Sequence, residues 1–141
     1  MRPEPPAEWT RAAVDAARTL KAQTRWDAKE WLKSTNGRKT TRSIYAILLH
    51  NPNHEDPFGV YVGHTHHRPF ERYAEHRKGE GFADVQKFHV RLLPELYQHL
   101  NPMKPAEAKE MEKALCAALR SAGIGWVTMG SKRRASKEKK Q

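Results

Sequence analysis

Two apolar runs separated by a stretch of turn-forming residues constrain this chain more than any other feature. SIYAILLH (Ser43–His50) is apolar and suits a buried strand. NPNHEDPFG (Asn51–Gly59) is dense in Pro, Asn, Asp and Gly and reads as a loop. Val60–Thr65 then resumes as a second strand. Together they predict a β-hairpin with a long loop, and the rest of the chain must supply what covers it.

Helical patterns lie on both sides. After a proline-rich lead-in, MRPEPP, the spacing of Trp9, Ala13, Ala16, Ala17 and Leu20 predicts a helix from Ala7 to about Ala22. Thr24 and Asp27 resemble a capping signal for a second, short helix carrying Trp26, Ala28 and Trp31, closed by Asn36-Gly37. Arg38–Arg42 is a basic connector. Beyond the hairpin, Arg68–Arg77 reads as a helix with Phe70, Tyr73 and Ala74 inward, and Lys78–Gly81 as a turn. Phe88–Leu93 reads as a third strand ended by Pro94. Pro102 and Pro105 bracket a helix start, and Ala106–Ala122 is a helix closed by Gly123. Trp126–Met129 is a last edge strand. This order predicts an α+β domain, a small and mostly antiparallel sheet flanked by helices, over residues 43–130. A basic N-terminal helical extension (1–42) precedes it, and a basic, disordered tail (131–141) follows it.

Charge placement points to a class of partner. The net charge is +10, of which residues 1–42 carry +5 and residues 131–141 another +5, leaving a neutral middle. Such flanks suit polyanions, whose phosphates they neutralise with release of counterions. Arg38, Lys39 and Arg42 on one side, and Lys132, Arg133 and Arg134 on the other, are the expected nucleic-acid contacts. Cys116 is the single cysteine and lies in an apolar helical run, so a reduced, structural thiol is expected. No apolar stretch approaches the roughly 20 residues needed to span a membrane, and MRPEPPAEW does not read as a signal peptide. A cytoplasmic protein follows as the expectation, with nucleoid association compatible with its charge.

Polar groups also stand where a core has no need of them. On adjacent antiparallel strands, Tyr45 and Tyr61 can bring two hydroxyls to one point, and Gly63 permits close backbone approach. Arg72 and His76, four apart, share a helix face. Glu112 sits beside Met111 and Leu115, at the edge of an apolar stripe.

In this order, Ser43-Ile44-Tyr45, Tyr61-Val62-Gly63, Arg72, His76 and Glu112 resemble the GIY-YIG nucleases. Tyr61–Thr65 followed by Arg72–His76 is similar to that family's second strand and arginine helix. Ala108–Leu115 is similar to its glutamate helix. The chain departs from the family at Ser43, which replaces a glycine, and at His64, where many members carry Lys or a small polar residue. The loop Asn51–Gly59 is longer than usual, and no Asn follows the glutamate helix at Ile124–Gly130.

The resemblance implies phosphodiester hydrolysis in nucleic acid, DNA being taken ahead of RNA. It implies one divalent ion on Glu112, Mg²⁺ with Mn²⁺ as substitute. Arg72 would clamp the scissile phosphate through its planar fork. Tyr61, or failing it Tyr45, would take the proton from water, which requires its pKa of about 10 to be lowered by Arg72 or by metal-bound water. His76 would hydrogen-bond a tyrosine or phosphate, and His64 would shuttle protons in place of Lys.

Other readings of the same residues stay open. Glu112 has Lys109 and Lys113 within helical reach as ion-pair partners. His64, His66, His67 and His76 form an alternative transition-metal set, although their spacing is not a standard zinc pattern. Trp9, Trp26 and Trp31 read as core contacts ahead of base-stacking platforms. A non-cutting nucleic-acid-binding module on the same fold is the runner-up function.

Overall fold

The computed structural model describes residues 2–22, 41–79 and 83–130. The segment with Trp26 and Trp31 expected to form a second helix, the cations Arg38 and Lys39, and the whole basic tail with Lys132, Arg133 and Arg134 lie outside them.

Among the described residues four strands form one sheet in the order β3-β1-β2-β4. Strands β1 (Ser43–His50) and β2 (Phe58–Thr65) are the predicted hairpin, paired from Ser43↔Thr65 to His50↔Phe58. Its loop is closed by the Asn51 N–H donating to the Pro57 carbonyl at 2.8 Å, with an Asx turn in which the Asn53 N–H donates to Asn51 Oδ1 at 3.0 Å. Strand β3 (His89–Leu92) pairs antiparallel with β1. Strand β4 (Val127–Met129) pairs with β2 in parallel, so the sheet is mixed. The long path from β2 to β4 includes a 17-residue helix, a crossover that returns the chain in its original direction.

β1 is central and buried on both faces, with Ile44, Ala46, Ile47, Leu48 and Leu49 at zero exposure. Each of the larger side chains contributes roughly 1.5–3 kcal/mol by leaving water. Where β3 is too short to follow β1, other groups take its place. The Asn101 side chain accepts from the Ile44 N–H and donates to the Ile44 carbonyl, both at 2.7 Å. Arg42 and Met103 exchange backbone hydrogen bonds of 2.7 and 2.9 Å just beyond.

Helix α1 (Ala7–Arg18) ends four residues sooner than predicted and buries Ala13 and Ala17. Trp9 meets Phe58 of β2 at 6.4 Å between ring centroids, a core contact as expected of it. Helix α2 (Pro69–Arg77) starts with proline at its first position, and Glu71 Oε1 accepts from the Arg68 N–H at 2.9 Å. Phe70, expected inward on this helix, is 61% exposed. A short helix α3 (Ala83–Phe88) precedes β3, where the sequence suggested that the strand had begun by Phe88. Helix α4 (Pro105–Ser121) buries Ala108, Met111, Glu112, Leu115, Cys116 and Leu119 and packs on α1, β2 and β4. It ends at Gly123, whose φ of +98° lets Ile124 N–H turn back to the Leu119 carbonyl. Among the described residues no helix is long and apolar enough to cross a membrane.

Candidate active site

The hairpin register decides which polar groups can meet. Tyr45 pairs with Gly63 and Ile47 with Tyr61, so both phenols stand on one sheet face. Their rings are 6.0 Å apart and each residue is 2% exposed. Gly63 makes room for this arrangement: a Cβ there would lie 2.6 Å from Tyr45 Oη and 2.7 Å from its Cζ.

Helix α2 covers the same face. His76, wholly buried, sets Nε2 at 3.0 Å from Tyr45 Oη, with its ring 5.6 Å from that of Tyr61. Arg72, one turn earlier, also reaches the Tyr45 hydroxyl, as does Tyr61. Its Nη1 lies 3.3 Å from Glu75 Oε1, and the side chain is 27% exposed, the cluster's opening to solvent. Tyr45 is thus the hub of four residues that the sequence brought forward separately. His76 meets a tyrosine, as expected of it.

Both phenols are shifted in the direction opposite to the one that a general base needs. Burial pushes Tyr45 up, opposed by the Arg72 charge beside it. Burial also pushes Tyr61 up, and there Tyr45 adds to the rise rather than relieving it. Arg72 therefore offsets burial at Tyr45 more than at Tyr61, although Tyr61 was the tyrosine expected to lose its proton. Burial, followed by the Arg72 charge, lowers His76 to about 4, so its imidazole is neutral near pH 7.

Glu112 forms a second centre with His64, near the end of β2. His64 pairs with Ile44, which places it on the face opposite the phenols. There its Nδ1 approaches Glu112 Oε1 at 3.4 Å. Glu112 has zero exposure, so it lies inside the apolar stripe rather than at its edge. Among the described residues neither carboxylate oxygen finds a hydrogen bond, and neither does His64 Nδ1: the two residues are close without hydrogen-bond alignment. Of the two lysines in helical reach, Lys113 pairs with Glu110 instead, and the ion pair that Glu112 makes is the one with His64. The Glu112 charge is among the smaller causes that raise Tyr45 and Tyr61.

A buried carboxylate that makes no hydrogen bond costs several kcal/mol. Two unsatisfied oxygens in that position fit a divalent cation, and Glu112 is the residue that would hold it. The described residues contain no group of three or more His, Cys, Asp or Glu able to hold a metal, so the four-histidine alternative does not assemble. His66 and His67 contact one another at 4.0 Å between rings. Of the predicted nucleic-acid contacts, Arg42 alone is described, and its Nη1 donates to the Thr41 carbonyl at 2.9 Å.

Two residues of this region were not anticipated. Glu75, which holds Arg72, has the i,i+3 spacing that could have revealed it. Asn101 fixes Ile44 next to Tyr45 across 57 residues, and no local signal marks such a contact.

No protein-family model, curated protein or solved structure significantly matches this chain.

Proposed function

We propose that this chain is a metal-dependent endonuclease, with DNA taken first as substrate. The observation that carries this reading is the buried Glu112 carboxylate, with no hydrogen bond to either oxygen among the described residues, in the same fold as the Tyr45–Tyr61–Arg72–His76 cluster. The net charge of +10 supplies the attraction for a polyanion.

Each residue has a role that follows from its surroundings. Arg72, partly open to solvent, donates its planar fork to the non-bridging oxygens of the scissile phosphate. Tyr45 relays a proton: its oxygen takes one from the attacking water while its own passes to neutral His76 Nε2. The resulting hydroxide forms a bond to phosphorus, and the bond from phosphorus to one sugar oxygen breaks. That oxygen takes a proton from solvent. Tyr61 steadies the Tyr45 hydroxyl. A divalent cation at Glu112 would supply stabilisation of the negative charge that develops on the phosphate oxygens.

The complete burial of Glu112 favours one competing reading, a module that binds nucleic acid without cutting it. Nicking of supercoiled plasmid in Mg²⁺ or Mn²⁺, against a chelator control, separates the two. The nuclease reading expects metal-dependent nicking that Glu112→Ala abolishes, with binding in chelator at least as tight as wild type. Wild-type protein that binds but never nicks leaves only the binding module.

A further inference from the structure

We propose that His64 Nδ1 is a second metal ligand beside Glu112, forming a nitrogen–oxygen site that prefers a transition ion such as Mn²⁺ to Mg²⁺. The inference rests on reading Glu112 as a metal ligand and assigns His64 a role other than proton shuttling.

Three observations converge. His64 Nδ1 and both Glu112 oxygens are buried without a hydrogen bond among the described residues, so three polar atoms lie together with their hydrogen-bonding capacity unmet. Nδ1 and Oε1 are 3.4 Å apart. Ligand atoms that each lie about 2.1 Å from a shared ion are separated by roughly 3.0–3.4 Å. Finally, the His64 side chain is 19% exposed while that of Glu112 is fully covered, so His64 lies between the carboxylate and the surface although its Nδ1 faces inward. Two protein ligands leave the remaining positions to water and a phosphate oxygen, as a catalytic site requires. Mg²⁺ favours oxygen donors alone, whereas an imidazole nitrogen shifts preference toward the later divalent ions.

The test uses the full chain without nucleic acid. Calorimetric titrations with Mn²⁺ and with Mg²⁺ are run on wild type, His64→Gln and Glu112→Gln. His64→Gln is expected to weaken Mn²⁺ by about tenfold or more and Mg²⁺ by clearly less, while Glu112→Gln weakens both. Pulsed EPR of the Mn²⁺-loaded wild type should show a ¹⁴N coupling that His64→Gln lacks. Equal weakening of both ions, no nitrogen coupling in wild type, or a coupling that survives His64→Gln would each overturn the proposal. A chain that binds Mn²⁺ through His64 yet never nicks plasmid keeps this site and loses the nuclease reading.

Discussion

The hydroxyl of Tyr45 and Nε2 of His76 stand 3.0 Å apart, with His76 wholly buried and Tyr45 still 2% exposed. The pair links a strand to a helix and ties the proposed proton relay to the packing of the sheet. Removing one oxygen atom therefore tests chemistry with little change in shape.

Tyr45→Phe should slow single-turnover plasmid nicking by about 10²-fold or more, the usual scale for loss of a general base, with binding in chelator unchanged. Tyr61→Phe should cost less, because its hydroxyl acts through Tyr45. The opposite ranking would return the proton-accepting role to Tyr61.

His76 makes stability depend on pH. Its pKa is lowered to about 4 from 6.5, so between these values the unfolded chain binds a proton that the folded chain does not. The stabilising contribution is fully present above pH 6.5 and is lost as pH falls toward 4, by at most about 3 kcal/mol. Urea midpoints measured in chelator across this range should fall with acidity, and His76→Gln should flatten most of the slope. A residual slope of the same sign is expected from His89, which burial and then Arg77 also lower. An unaltered slope in His76→Gln would show that the titrating group lies elsewhere.

Gly63→Ala tests the seating of the Tyr45 ring. The added methyl would meet the ring's oxygen and carbons at 2.6–2.8 Å, and the buried ring has little freedom to retreat. Destabilisation of about 1–3 kcal/mol should follow, together with loss of nicking. A wild-type urea midpoint and rate would mean that the ring can shift without consequence.

Deleting residues 131–141 removes a net charge of +5. Nucleic-acid binding should weaken, and the slope of log affinity against log salt should fall by about 0.9 for each duplex-DNA phosphate that the shortened chain leaves unneutralised. Nicking at saturating protein should persist. A slope equal to that of the full chain would show that the tail does not touch phosphate.

The hairpin was legible because local composition alone separates SIYAILLH from NPNHEDPFG. The glutamate helix was legible because Pro105 and Gly123 punctuate it. Three-dimensional relations were harder to read. The parallel pairing of β4 depends on how α4 carries the chain back across the sheet, which three residues of edge strand do not encode. Helix α3 spans six residues, too few for helical periodicity to stand out. In the site, a shared face predicted the meeting of the tyrosines and the common orientation of Arg72 and His76 toward them. It did not show that burial would raise both phenols, because their desolvation comes from α2 and the sheet together. Nor did it bring Glu112 to His64, since that contact joins a helix and a strand distant in sequence.

Asn101 has a consequence for how copies of this protein behave toward one another. A strand with vacant backbone groups invites pairing by a foreign chain. Along the flank of β1 that β3 leaves uncovered, Arg42 is matched by Met103, Ile44 by the Asn101 amide, and the Ala46 carbonyl by the Leu93 N–H at 2.9 Å. An amide side chain there satisfies the same donor and acceptor that a neighbouring strand would. The outermost strands, β3 and β4, are only four and three residues long. The sheet therefore offers an intruding strand very little length to grip, and resistance to edge-to-edge aggregation is written partly into one side chain.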